Sequence, residues 1–454
     1  MLEEDLKTLR SQIDKIDEDL LKLIVKRSSI VDKIGISKKK EDFQIIDKKR
    51  ESEVIKKLLN LHEGNFAKDS IVRIWREIFN TSANIQFKKN NLLNPKRGIN
   101  TIKLYKGGIS KVDGLEKIIK LSSNESPFGP SQKAIEAYLK SSDKLSRYPE
   151  LTAESLHQEI AKKHKLNSKQ IISGTGSDEI LIFSVLTFCS PGDEVIHAQH
   201  GFEMYPIICK YAGAESVLAS EKDYKLSIDS VVEKITESTK VILIANPNNP
   251  TGTYLTKKEL RTLMSKVPSN ILVVIDTAYA EFADALDYDK SFSLADEYSN
   301  VLITRTFSKA YSLAGLRLGW GYASENLIEM LKKIRPPFNL PPGAIAGGIA
   351  ALNDEAHLNK VVEYNSNIKN WFIDELNNIG FKAYKTQGNF TFVIVPNNDE
   401  QDANKVNKYL LTKGVAVRYL ESYGLPNAIR ITFGEKNELE KTINLLKEYK
   451  SNNE

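Results

Sequence analysis

Cysteine is scarce in this chain: Cys189 and Cys209 are the only two in 454 residues, with no C-x-x-C spacing. Neither a disulfide framework nor a cysteine zinc site is supported, and both thiols are expected to be buried and inert. Long apolar runs are lacking too. No stretch approaches the roughly eighteen apolar residues of a membrane span, and the first twenty residues, MLEEDLKTLRSQIDKIDEDL, are charged throughout, so neither a transmembrane helix nor a signal peptide is expected and the reading is cytoplasmic. Charge of one sign is not in surplus: Lys+Arg 64 against Asp+Glu 59 leaves +5. That is too thin for a dedicated nucleic-acid binder, although a local cationic site for small anions stays open. Proline is missing before Pro95.

What is present is an ordinary globular composition, 41% hydrophobic and 27% charged, in a chain long enough for two or three domains. Residues 1–90 show helical periodicity with one break near Gly64. Residues 91–100, around Pro95 and Gly98, read as a linker. Beyond it, β-rich runs such as VILIANP (241–247), ILVVID (271–276) and NVLITRTFS (300–308) alternate with helical stretches. That alternation predicts a βαβ sheet with helices on both faces. Within 101–454 the expected division is a large domain over about 148–335 and a smaller α+β subdomain from about 101–147 and 336–454.

In the first helix, Leu2, Leu6, Leu9, Ile13, Ile16, Leu20, Leu23, Ile30 and Ile34 recur in steps of three and four, a coiled-coil seam. Position 27 belongs to that seam and is Arg27. A guanidinium there is costly unless an anion meets it, so Arg27 points to a buried ion pair or a bound carboxylate. Arg10 flanks the stripe; Asp47, Arg50 and Glu51 in the second helix and Ser82 and Gln86 in the third end stripes of their own. Singly, Lys38, Arg50 and Glu51 read as solvated helix-face charges. Together, Leu9-Arg10, Asp14, Arg27, K-I-G-I-S-K ending in Lys38, D-x-x-R-E at Asp47-Arg50-Glu51, and Ser82 with Gln86 resemble the all-helical class of chorismate mutase. The resemblance implies that Arg10, lent by a partner subunit, and Arg27 clamp the two carboxylates of chorismate. Lys38 and Gln86 would donate to its ether oxygen, Glu51 would accept from its hydroxyl, and Asp47, Arg50 and Ser82 would complete the shell. Such a rearrangement needs only a held conformer and stabilised charge. A first helix of about 35 residues also fits an interlocked dimer.

Downstream, I-I-S-G-T-G-S-D-E-I-L (171–181) places a glycine turn between a strand and a helix, where the amides of Gly176, Ser177 and Asp178 can bind phosphate; a dinucleotide fingerprint would need a third glycine and an acidic residue that are not in place. Then N-P-N-N-P-T-G (246–252), D-T-A-Y (276–279) and T-F-S-K (306–309) each follow a β run, with Arg317 eight residues beyond Lys309. Polar groups at the carboxyl ends of consecutive strands are what an open α/β sheet offers a ligand. Together these motifs resemble a fold-type I aminotransferase, with its mixed, mostly parallel sheet, that uses pyridoxal 5′-phosphate. The resemblance implies that Lys309 binds the cofactor and moves the proton, Asp276 holds the ring nitrogen protonated, and Asn249 and Tyr279 bond the phenolic oxygen. Ser177, Asp178, Thr306, Ser308 and Arg317 would take the phosphate, Phe202 would stack on the ring, and Tyr148 would reach the phosphate from a partner. Arg430 would clamp the substrate carboxylate.

N-E-S-P-F-G-P (124–130), R-P-P-F-N (335–339) and G-V-A-V-R (414–418) look most like the histidinol-phosphate branch, with Asn124 and Arg418 as further substrate-binding candidates. Phe128 and G-F-E-M-Y (201–205) depart from its pattern around the substrate pocket. The first reading is a bifunctional homodimer with shared active sites: chorismate to prephenate, then transamination of an aromatic 2-oxo acid, prephenate or phenylpyruvate, from a donor such as glutamate. A second keeps the aminotransferase on histidinol phosphate, with Arg418 serving the phosphate. A third makes the helical module a non-catalytic dimerisation or chorismate-sensing unit, against which the intact polar set stands.

Overall fold

The computed structural model describes residues 2–40, 47–87, 98–104, 107–108, 118–290, 292–396 and 402–452. It divides into two compact units, Met1–Asn100 and Thr101–Glu454. None of the described helices is long and apolar enough to cross a membrane.

The first unit is three helices: α1 (Leu2–Lys40), α2 (Lys48–Leu61) and α3 (Lys68–Phe87). The expected break near Gly64 falls between α2 and α3, and a second separates α1 from α2. Asp47 accounts for that second start, because its carboxylate accepts the backbone N–H of Arg50 at 3.0 Å and caps α2. At 39 residues, α1 is about 58 Å long. Near its C-terminal end it buries Val31, and α3 buries Val72, Phe79 and Ser82. Further up, the seam is bare: Leu6, Leu9, Ile13, Ile16, Leu20 and Leu23 stay 48–63% exposed.

The second unit is built on a seven-stranded sheet: β1 (Ile171–Gly174), β2 (Glu194–Ala198), β3 (Glu215–Ala219), β4 (Thr239–Ala245), β5 (Leu272–Asp276), β6 (Val301–Thr306) and β7 (Gly319–Ala323). Its order is β1-β7-β6-β5-β4-β2-β3, parallel except for β7, which runs antiparallel to both neighbours. Both faces are covered, and the strand period of two divides them: Ile242, Ile244, Val273 and Ile275 join one core, Val241, Leu243, Leu272 and Val274 the other. That is why these strands read as continuous apolar runs. Helices α4 (Glu154–His164), α5 (Ser177–Phe188) and α6 (Met204–Ala212) follow in the chain. A smaller antiparallel sheet, β8 (Lys382–Ala383), β9 (Phe390–Ile394), β10 (Arg418–Tyr419) and β11 (Ala428–Thr432), has the order β8-β9-β11-β10 and a core of its own. In its last pair Arg418 stands directly opposite Arg430. Ile119–Lys120 pairs in parallel with Val415–Ala416, which leads residues 121–125 toward the ends of the large sheet's strands. Of the two cysteines, Cys209 is buried and Cys189 half-buried, and burial pushes the Cys209 thiol up to about 12.

His157 on α4 is buried against β1, its Nε2 3.0 Å from Ser173 Oγ. Burial, and then Lys332 and Arg335, push its pKa down from 6.5 to about 3. The unfolded chain therefore binds a proton that the native state refuses, and stability falls as pH is lowered from about 6.5 toward 3. Replacing His157 by Gln should flatten that fall by up to about 1.4 kcal/mol per pH unit in urea titrations between pH 6.5 and 5. An unaltered slope would show that the ring takes up its proton inside the fold.

Two candidate active sites

In the helical unit, one cavity of about 480 Å³ is lined by Arg27, Val31 and Ile34 from α1, Arg50, Glu51, Val54 and Leu58 from α2 with Asp47 ahead of it, and Trp75, Ile78, Phe79, Ser82 and Ala83 from α3. Five of the sequence-predicted residues thus share one wall: Arg27, Asp47, Arg50, Glu51 and Ser82. Arg27 Nη1 donates to Ser82 Oγ, Ser82 Oγ donates to the Ile78 carbonyl at 2.6 Å, and the guanidinium lies 5.6 Å from the centre of the Phe79 ring. Among the described residues no carboxylate pairs with Arg27. Of the two alternatives open at position 27, this geometry favours the bound anion. Arg50 reaches Glu53 at 3.4 Å. The backbones of Lys38 and Gln86 are helical; their side chains lie outside the described residues. Arg10 is exposed, seventeen residues and about 25 Å up α1 from Arg27, so its own cavity is out of its reach. Trp75 on α3 also lines the cavity, with a buried Nε1 that has no hydrogen-bond partner among the described residues.

The second site is a cavity of about 220 Å³ at the carboxyl ends of the large sheet's strands, closed from the other side by residues 122–125 and by the smaller sheet. Lys309, just past β6, donates from Nζ to the Ser123 carbonyl at 3.3 Å and stands 5.7 Å from the centre of the Tyr279 ring. Burial, then the charge of Arg430, lowers its pKa to about 8. Asp276, the last residue of β5, accepts from Thr304 Oγ1 at 3.0 Å and Tyr205 Oη at 3.3 Å, and burial raises it to about 6. Tyr279 Oη accepts from Asn124 Nδ2 at 2.8 Å, which leaves the phenol hydrogen to point into the cavity. Asn124, at φ 54, is fixed by three further bonds: its N–H to Thr432 Oγ1 at 2.9 Å, its Oδ1 from Thr432 Oγ1 at 3.0 Å, and its carbonyl from Asn389 Nδ2 at 3.0 Å. Each end of the Asn124 amide thus makes one bond within the protein, and Asn124 lines the cavity beside Tyr279.

Arg430 donates to Asn249 Oδ1 at 2.5 Å and to the Ser122 carbonyl at 2.7 Å, while its buried Nε has no partner among the described residues. At the opposite end Ser177 opens α5, and Arg317 reaches Ser308 Oγ at 3.3 Å and Asp178 Oδ2 at 3.4 Å. Gly176, at φ +90, makes this possible, because a Cβ there would stand 2.4 Å from Arg317 Nη2. Thr306, Phe202 and Arg418 also line the cavity. Tyr148 does not: it is 83% exposed and stacks on Phe338 with ring centres 4.7 Å apart. Sequence reasoning passed over Thr304, Tyr205, Ser122 and Ser123. Thr304 was within reach of it, two residues before Thr306 on one strand and so on the same face.

The sequence model of the family "Aminotransferase class I and II" matches residues 116–446, and that of "Chorismate mutase type II" matches residues 9–87. The chain belongs to the class I and II aminotransferases and carries a chorismate mutase domain ahead of that unit. A histidinol-phosphate aminotransferase of Paramagnetospirillum magneticum is 40% identical over 355 residues, 78% of this chain and 98% of the relative. One from Roseobacter denitrificans is 41% identical over 353 residues, 78% of this chain and 97% of the relative. Among solved structures, the histidinol-phosphate aminotransferase of Sinorhizobium meliloti in complex with pyridoxal 5′-phosphate superimposes with a TM-score of 0.70 at 25% identity, covering 73% of this chain and 91% of that one.

Aminotransferases of this family work with pyridoxal 5′-phosphate, and the cavity fits it. Asp276 is a buried carboxylate with hydroxyl partners and no cation, the environment a pyridinium nitrogen completes. The cofactor, when bound, supplies an electron sink for the carbon that bears the amine. The chain's own residues would supply the rest: Ser177, Ser308 and Arg317, which line the cavity, would donate to the phosphate, the Tyr279 hydroxyl to the ring oxygen, and Lys309, its pKa lowered to about 8, would carry the proton. Arg430, which lines the same cavity and has an unpartnered Nε among the described residues, would take a substrate carboxylate.

Two variants test these assignments. Arg27→Leu should keep or raise the thermal midpoint and lower chorismate turnover by at least a hundredfold, since an uncompensated cation leaves an apolar seam; a destabilised protein that still turns over chorismate would make Arg27 structural. Lys309→Ala should lose the visible absorbance of lysine-bound cofactor and all transamination while mutase activity persists; borohydride reduction that fixes the cofactor to another lysine would overturn it.

Proposed function

We propose that the chain is a bifunctional enzyme of aromatic amino-acid biosynthesis, converting chorismate to prephenate in the helical unit and transaminating an aromatic 2-oxo acid, prephenate or phenylpyruvate, in the second. Chorismate is a dicarboxylate whose rearrangement needs a clamp and charge stabilisation, and Arg27, Arg50 and Glu51 supply such a lining. Its product is itself a 2-oxo acid. The observation that carries the reading is the coexistence in one chain of that cavity and of a Lys309 pocket whose Arg430 is set for a carboxylate. A homodimer with shared sites belongs to the same proposal: the bare α1 seam calls for a second helix, and Arg10 and Tyr148 both stand away from their own cavities. The names of the relatives favour a second reading, with histidinol phosphate as the substrate of the aminotransferase.

Incubating the full chain, loaded with cofactor, with chorismate and glutamate and identifying products by mass decides between them. Arogenate is the expected outcome where prephenate is the 2-oxo acid used, and phenylalanine formed from separately supplied phenylpyruvate and glutamate, with prephenate left unaminated, is the outcome where phenylpyruvate is. Prephenate that accumulates unaminated, beside rapid turnover of histidinol phosphate, would establish the second reading.

A further inference from the structure

The two arginines of the second site are cross-strand neighbours, Arg418 on β10 directly opposite Arg430 on β11, and both line the cavity. Like charges at directly opposed positions of an antiparallel pair repel. Here a third residue answers them. Arg418 Nη2 donates to Glu203 Oε2 at 2.6 Å, with the two side chains only 12% and 16% exposed. Glu203 follows Phe202, which lines the same cavity, and immediately precedes α6. The anionic end of a substrate therefore meets one uncompensated guanidinium, Arg430, beside an internally neutralised pair.

We propose that Glu203 is a specificity-determining residue: by neutralising Arg418 it sets the site for a substrate whose anionic group is a carboxylate and against one bearing a phosphate monoester. The charge balance carries this. A carboxylate brings one negative charge, which Arg430 matches. A phosphate monoester brings nearly two at neutral pH, and two adjacent arginines would be matched to it, but Glu203 cancels one of them and repels the dianion more strongly than the monoanion. Glu203 acts through Arg418 and is not a catalytic residue. The inference rests on the proposed aromatic 2-oxo acid substrate and gives it a physical cause.

The test compares kcat/KM of the cofactor-loaded full chain for phenylalanine, glutamate and histidinol phosphate, together with competitive inhibition by inorganic phosphate. Glu203→Gln should move the ratio of histidinol phosphate to the amino acids upward by at least tenfold and tighten phosphate inhibition by a similar factor. Glu203→Asp, which keeps the charge, should stay near the wild-type ratio, and adding Arg418→Gln to Glu203→Gln should abolish the gain. Glu203→Ala replaces Glu203→Gln should the latter fail to fold. A parallel fall for all three substrates, or an unmoved ratio, overturns the inference and leaves the proposed function standing if the wild type prefers the amino acids. A wild type that prefers histidinol phosphate, with the ratio still rising in Glu203→Gln, sinks the proposed function and leaves the role of Glu203 in place.

Discussion

Asp276 is 6% exposed, and its carboxylate accepts from two hydroxyl donors and from no cation among the described residues. Taking such a group out of water costs several kcal/mol unless a charge meets it, and the surrounding strands keep it there all the same. Position follows from topology. β5 lies in the middle of a mostly parallel sheet, so its carboxyl end opens into the crevice where β4 delivers Asn249 and β6 delivers Lys309. A protonated ring nitrogen placed against Asp276 would relieve the burial cost, and Tyr279 and Lys309 reach the same cavity from just beyond β5 and β6.

The helical unit deals with charge by a different route. Arg27 has a serine hydroxyl and an aromatic face for company, neither of which cancels its charge. A cation left thus beside an open cavity with Arg50 and Glu51 is prepared for an anion that arrives from outside. In the larger unit Arg418 is cancelled by the chain's own glutamate while Arg430 is left to face the cavity, so two arginines a strand apart have opposite electrostatic fates.

Much of this was legible in the sequence because it depends on local pattern. Apolar runs ending in N-P-N-N-P-T-G, D-T-A-Y and T-F-S-K correspond to β4, β5 and β6, and their polar ends meet in one cavity. Arg27 stood out because it interrupts a seam. What could not be read was anything fixed by pairing across long separations. Asn124 and Thr432 are 308 residues apart and bond to one another, and Asn124 also donates to Tyr279 from the cavity wall. The opposition of Arg418 and Arg430, and the approach of Glu203 from another element, likewise exist only after the sheets have formed. Asp47 was read for its chemistry alone, and its fitness as a cap rests on the bond it accepts from the Arg50 N–H.

The bare stripe along α1 couples the two halves of the chain to protein concentration in unequal ways. Residues such as Leu9, Ile16 and Leu23 are more than half exposed, and a second copy of α1 laid along them would cover them. On the dimer reading, the helical unit takes part of its stability from mass action, so that dilution weakens it logarithmically. The core strands of the larger unit are buried within a single chain, so on the same reading its site depends on the partner more than its core does. Expression level would then set how much of both shared sites is assembled while weighing most heavily on the fold of the helical unit.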